Sequence, residues 1–186
     1  MPNYEKMSDE EIARQVLIDK ELIRVLIERY ERRLRAYIVK ISGVDQDASA
    51  DILQDAFIKA YLNLRDFDDQ QKFSTWIYRI VHNETISHWR KRRRENISLD
   101  ATEAEKIAAD LDILRDVQNN LDATCISRVL GELDEKYRSI LILKYFEERQ
   151  YDEIAEILRL PAGTVAIRLR RAKEKFSKLY TKICHK

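Results

Sequence analysis

A stripe of apolar residues stepping by three and four decides the fold class of this chain. Ile23, Leu26, Ile27, Tyr30, Leu34, Tyr37, Ile38 and Ile41 recur at the spacing that places them along one side of a long α-helix. That side must be buried against other elements, and strands are poor candidates to supply them. The 186 residues include three glycines and two prolines, the residues on which tight hairpin turns depend. Leu, Ile, Ala, Glu, Lys and Arg dominate instead, and all of them suit helices. The expectation is an all-α protein.

Neighbouring segments repeat the pattern. Ser8 and Glu11 form a capping-box pair ahead of Ile12 and Val16. The Gly43 region ends the long helix. A third helix is expected from about Asp47 to Leu64, with Leu53, Phe57, Ala60, Tyr61 and Leu64 facing inward. The stretch Arg65 to Lys72 breaks the periodicity, and Ser74 stands where the cap of a fourth helix is expected. From Asn96 to about Ala123 large apolar residues thin out and the charge turns acidic, which marks a linker. Three or four further helices follow, near Thr124–Leu133, Lys136–Phe146, Tyr151–Leu158 and Ala162–Tyr180. The chain thus divides into two small helical domains, residues 1–95 and 124–186, joined by an acidic linker, residues 96–123.

The formal net charge is only +1, but charge is strongly separated along the chain. Arg90 to Arg94 reads RKRRR, and Arg168 to Lys182 holds seven basic residues against Glu174 alone. Between them, Asp100 to Glu135 holds ten acids against Lys106, Arg115 and Arg128. Two basic patches flank an acidic middle, so the near-neutral total does not argue against a nucleic-acid partner.

The second patch lies in YDEIAEILRLPAGTVAIRLRRA, from Tyr151 to Ala172, which has the form of a helix-turn-helix. Ile154, Ala155 and Leu158 give its first helix an apolar face, and Leu160 and Pro161 close the turn. On the second helix, Val165, Leu169, Ala172 and Phe176 fall within about 60° of one another and form the core face. Thr164, Ala166, Ile167, Arg170 and Arg171 occupy the other side, a mixture of small, apolar and basic groups suited to a major groove.

The first patch ends the fourth helix. Arg79, Asn83, Ser87, Arg90 and Arg94 share one arc of about 80°, with Ile77, Ile80 and Val81 on the other side. Phe67, Phe73, Trp76 and Tyr78 precede or interleave with these cations. Single-stranded DNA asks for such a set, because bases stack on rings, phosphates meet charges and a flipped base needs a hydrogen-bonding pocket. Aromatics of an amphipathic helix are more often core, and this segment alone does not define a melting site.

Taken together, these segments resemble the extracytoplasmic-function sigma factors of RNA polymerase. The resemblance rests on DILQDAFIKAYLNLRDFD (Asp51–Asp68), KFSTWIYRIVHNETISHWRKRRR (Lys72–Arg94), LDEKYRSILILKYF (Leu133–Phe146), the helix-turn-helix, and their order around an acidic linker. It implies an alternative sigma factor that binds core RNA polymerase and directs transcription from stress-response promoters. By it, Asp51, Gln54, Asp55 and Phe57 dock on the polymerase clamp helices. Phe67, Trp76, Arg79, Asn83, Arg90, Lys91, Arg92, Arg93 and Arg94 open and hold the minus-ten element, with Asn83 at the base-contacting position. Thr164, Ala166, Ile167, Arg170 and Arg171 read the minus-thirty-five element, and an anti-sigma factor is implied as restraining partner. Two positions depart from the family's habit. Ala166 and Ile167 stand where a basic and a hydroxyl residue are often presented, and Ala50 stands where an acid is common.

Other functions fit less of the chain. A helix-turn-helix regulator acting without polymerase leaves the aromatic and basic fourth helix unexplained, and a purely protein-binding adaptor leaves both basic faces without purpose. For catalysis there is no glycine-rich phosphate loop or nucleophile motif, and no cofactor is expected. His82 and His88 stand about 120° apart on one helix, poorly placed to share a metal or a proton. Cys125 and Cys184 are expected to form neither a disulfide nor a zinc site. No apolar run approaches the roughly 20 residues needed to cross a bilayer, and Met1 to Glu11 is too acidic for a secretory signal. The chain is expected to stay in the cytosol without membrane insertion.

Overall fold

A computed structural model of the protein describes residues 4–95 and 120–184. Among these residues all regular structure is helical. Four helices form the amino-terminal unit: α1 (Asp9–Val16), α2 (Ile23–Ser42), α3 (Gln46–Leu62) and α4 (Phe73–Glu95). Four more form the carboxy-terminal unit: α5 (Asn120–Glu132), α6 (Glu135–Tyr145), α7 (Tyr151–Leu158) and α8 (Ala162–Cys184). The expected linker therefore lies outside the described residues except for 120–123, which open α5 earlier than the expected Thr124. Helix ends depend on packing as much as on local sequence.

The stripe of α2 is the spine of the amino-terminal unit. Leu26, Tyr30, Leu34, Tyr37, Ile38 and Ile41 are buried against α1, α3 and α4. Gly43 ends α2 in the left-handed region at φ 69°, where a side chain would be strained. The capping box at α1 forms as expected, with Ser8 Oγ accepting from the Glu11 amide at 3.2 Å and the Glu11 carboxylate accepting from the Ser8 amide at 2.8 Å. Those bonds hold the Glu11 carboxyl below its ordinary range. Asp45 caps α3 by accepting from the Ala48 amide at 2.9 Å.

The start of α4 differs from expectation. Ser74 lies inside the first turn, and its hydroxyl accepts from Arg149 Nη1 at 3.1 Å. The Phe73 amide instead donates to Glu10 Oε1 of α1 at 2.8 Å. A carboxylate 63 residues upstream thus satisfies an end group that no local side chain reaches.

In the carboxy-terminal unit, Gln150 and Glu153 form a capping box at α7, and Arg159 makes the turn to α8 in the left-handed region at φ 51°. Ile154, Ile157, Val165, Leu169 and Ala172 are buried between α7 and α8 and their neighbours. Cys125 and Cys184 correct the expectation that they are unpaired. A disulfide joins them, with Cα atoms 6.1 Å apart. The start of α5 lies against the end of α8, a juxtaposition created by packing that 59 positions of intervening sequence conceal.

Candidate nucleic-acid interface

The buried side of α4 is formed by Ile77, Tyr78, Val81, Thr85 and Ile86, while Ile80 is half-buried. That orientation turns the opposite arc outward. Arg79 and Asn83 are half-buried, Ser87, Arg90 and Lys91 are exposed, and Arg92 is half-buried. The side chains of Arg93 and Arg94 lie outside the described residues. Arg90 reaches Glu135 at the start of α6 at 3.6 Å.

The aromatic residues divide between core and surface. Trp76 is buried at 5% exposure, in a cluster with Phe73 at 5.6 Å and Phe67 at 5.2 Å between ring centroids. Phe67 is half-buried on the segment ahead of α4 and forms the surface edge of that cluster. Trp76 therefore packs as core, and Phe67 is the ring of this cluster that reaches the surface. His82 is also a core residue, bonded to the Tyr37 hydroxyl through Nδ1 at 3.1 Å. Burial, with a smaller effect of Arg90, pushes its imidazole down to about 4.

An apolar groove runs between α2 and α3, lined by Ile23, Ile27, Leu53, Phe57, Tyr61 and Leu62, with Gln54 beside them. Asp51 and Asp55 are exposed on the same helix, next to the groove and outside its lining. Tyr61 was expected to face inward but is 37% exposed, with Ile58 at 50% and Leu62 at 71%. The reason is that α3 carries two apolar faces. Ile52, Leu53, Ala56 and Ala60 already fill its core contact, so the second set is left facing solvent. Ile58 and Leu62 escaped the sequence reading; the surplus of apolar positions beyond one stripe is the signal that could have found them.

On α8 the core face is formed by Val165, Leu169 and Ala172, with Phe176 half-buried. Ala166, Arg170 and Arg171 are exposed, and Thr164 is half-buried. Ile167 is 51% exposed, so it does not pack into the core of its own unit. Sequence reasoning also missed a cation–aromatic group beside this helix. Lys173 lies over Tyr145 at 5.3 Å and Lys144 over Tyr151 at 5.2 Å. A hydrogen bond to Tyr145 raises the Lys173 ammonium above its ordinary range.

Both units match known proteins. Residues 26–95 match the family model of Sigma-70 region 2, and residues 123–176 match Sigma-70, region 4. The chain is 35% identical over 169 residues to the ECF RNA polymerase sigma factor SigW of Bacillus subtilis, covering 86% of this chain and 89% of that one. The chain belongs to the ECF RNA polymerase sigma factors. It is an alternative sigma factor, a DNA-binding subunit of transcription initiation. The region 2 match disfavours a helix-turn-helix regulator acting without polymerase. The ECF RNA polymerase sigma-E factor of Escherichia coli is 31% identical over 180 residues, covering 89% of this sigma factor and 93% of its own length. Two solved structures share the fold at 24% identity. CnrH in complex with the cytosolic domain of CnrY superposes with a TM-score of 0.68 over 92% of this chain and 96% of that one. RpoE in complex with the anti-sigma factor NepR from Bartonella quintana gives 0.64 over 84% and 94%.

The two units of this sigma factor are in contact, α4 against α7 and α2 against α6. The contact centres on Glu147 and Arg149, in the loop between α6 and α7. Glu147, with its side chain 3% exposed, accepts from the Tyr78 hydroxyl and from Arg33 Nε at 3.1 Å, and lies 4.0 Å from Lys40 Nζ. The Arg149 guanidinium stacks 4.2 Å from the Tyr78 ring centroid and 3.8 Å from Glu153, which Lys72 meets at 3.0 Å. Arg138 of α6 donates to the Ile41 carbonyl at 2.8 Å. Burial, reinforced by Glu147, pushes the Tyr78 hydroxyl well above its ordinary value, and burial lowers the Lys40 ammonium. None of these partners is recognisable from local sequence. Among the described residues no helix is long and apolar enough to cross a membrane, and no cluster of three potential metal ligands comes together.

Proposed function

We propose that this sigma factor docks on core RNA polymerase through α3, opens the minus-ten element with α4 and reads the minus-thirty-five element with α8. Residues 1–95 serve as the docking and melting domain, 124–186 as the upstream-reading domain, and 96–123 as their linker. Asp51, Gln54, Asp55 and Phe57 meet the clamp, where carboxylates beside an apolar groove suit a basic partner surface. Phe67 stacks on an unpaired base, Asn83 holds a displaced one, and Arg79 and Arg90 to Arg94 follow the backbone. Trp76 supports Phe67 from beneath. On α8, Ile167 covers a thymine methyl while Arg170 and Arg171 reach phosphate or a guanine edge.

The observation that carries this reading is the division of α4, whose apolar side is buried while the other side carries half-buried Arg79, Asn83 and Arg92 and exposed Arg90 and Lys91. The protein works in the cytoplasm, where polymerase and promoters are, and supplies recognition without catalysis of its own. An anti-sigma partner restrains it; a structural neighbour is solved in complex with an anti-sigma factor. The test mixes the purified chain with core RNA polymerase and genomic DNA and maps transcript starts. A shared pair of upstream elements among the new starts is expected. Starts identical to those of core enzyme alone overturn the proposal.

A further inference from the structure

Cys125 and Cys184 are the chain's two cysteines, and the fold brings them to bonding distance from opposite ends of the carboxy-terminal unit. Neither belongs to the surfaces described above, and both are half-buried, within reach of a small reagent. We propose that this pair is a reversible redox modification site, closed by a low-molecular-weight disulfide such as oxidised glutathione, that clamps the DNA-reading unit. One cysteine thiolate attacks a sulfur of the reagent, forming a mixed disulfide and releasing one thiol. The second thiolate then attacks the protein sulfur and expels the other. The protein gives up two electrons and two protons, and the reagent leaves as two thiols. Where glutathione is held reduced the pair stands open, and it closes when that poise shifts.

The position of the bond determines what closing does. Beyond Ala172, α8 is held by half-buried Phe176, Leu179, Tyr180 and Ile183, by Lys173 over the Tyr145 ring and Lys175 over the Tyr137 ring, and by an exposed Lys175–Asp134 pair at 3.7 Å, with no fully buried side chain. Helix ends with so little burial fray readily. The bond ties the last turn of α8 to α5 and closes a loop that encloses α6 and α7. Closure of a loop of this length lowers the unfolded population of the unit on the order of a thousandfold by loop entropy. The reading residues end at Arg171, on the order of 20 Å up the same helix. The clamp therefore changes how long the unit stays folded and leaves its base preference alone.

The experiment equilibrates the full chain, Cys125→Ser and Cys184→Ser in defined mixtures of reduced and oxidised glutathione. Free thiols are then alkylated for mass spectrometry, and thermal unfolding and binding to minus-thirty-five DNA are followed in parallel. The parent is expected to pass from two alkylated cysteines to none as a monomer without retained glutathione, and its carboxy-terminal unfolding transition to rise with closure. Each single variant is expected to retain glutathione and show no such rise; if either fails to fold, the parent's own titration decides. Thiols that stay alkylatable in excess oxidised glutathione, stable glutathione adducts on the parent, or cross-linked dimers overturn the site. Closure that leaves the transition unmoved, or that alters base preference, overturns the clamp.

Discussion

Replacing Glu147 by Ala is expected to separate the two units while leaving each folded. The carboxylate belongs to the carboxy-terminal unit, but Arg33, Lys40 and Tyr78, which surround it, belong to the amino-terminal one. Arg33 is 57% exposed, so solvent screens that pair and it contributes about 0.2–1 kcal/mol. The Tyr78 hydroxyl donates to a buried charged acceptor, a bond that contributes about 1.5–3 kcal/mol. Lys40 is 12% exposed and keeps the Phe146 ring at 5.2 Å after its counter-ion is gone, which limits its share. The sum is roughly 3 kcal/mol, or about a hundredfold in the ratio of docked to separated units. Glu147→Gln keeps an acceptor for Tyr78 and should fall between. Small-angle scattering reads the outcome: a compact chain of this length has a radius of gyration of roughly 16 Å, and the Ala variant should exceed the parent at low salt. An unchanged radius with a lowered melting temperature of either unit would refute this account, because Glu147 would then support folding and not docking.

Four further outcomes follow from the surfaces. Ile167→Ser should leave melting nearly unchanged and relax preference at one position of the minus-thirty-five element by about 1 kcal/mol or less; a randomised-promoter selection with unchanged preference removes Ile167 from the reading face. Asn83→Ala should lower open-complex formation more than closed-complex affinity, and a premelted promoter should rescue most of the loss, whereas equal defects on both templates would point to folding. Asp55→Lys should weaken binding to core polymerase at physiological salt without unfolding the protein, and full retained affinity sinks the docking assignment. His82, held down to about 4 in the folded state against 6.5, takes up a proton when the chain unfolds in acid. Stability should be whole above pH 6.5 and fall by on the order of 2–4 kcal/mol toward pH 4, and His82→Gln should flatten that limb in denaturant titrations across pH.

The helices were legible because their signals are local. The stripe of α2, the capping box of α1 and the core face of α8 each lie within a few turns. The stripe is buried from Leu26 to Ile41 except for Ile27, Ile23 and Ile27 line the groove, the capping box forms, and Val165, Leu169 and Ala172 are buried. The outward arc of α4 and the exposed Ile167 were legible for the same reason. What escaped depends on partners distant in sequence. Glu147 and Arg149 look like ordinary surface charges until α2 and α4 close over them. The minus-ten role of Trp76 comes from the family resemblance, which does not say how much protein covers the ring. Tyr61 failed for a different reason, since a second apolar face on α3 has the same spacing as a first. The disulfide was invisible because no rule of spacing links the ends of a four-helix unit.

The bond from the Phe73 amide to Glu10 also sets an order of assembly. Most contacts that shape α4 come from α3 and α2, its near neighbours in the chain. Its first turn waits for a carboxylate 63 residues away, and closing so long a segment costs chain entropy that local helix growth does not. The basic end of α4 can therefore form early, while the turn beside the Phe67–Trp76 rings is completed only when α1 has settled onto the bundle. On the proposed function, the end of α4 assigned to phosphate forms before the turn assigned to melting, and α1, to which that reading gives no DNA contact, governs when the second becomes competent.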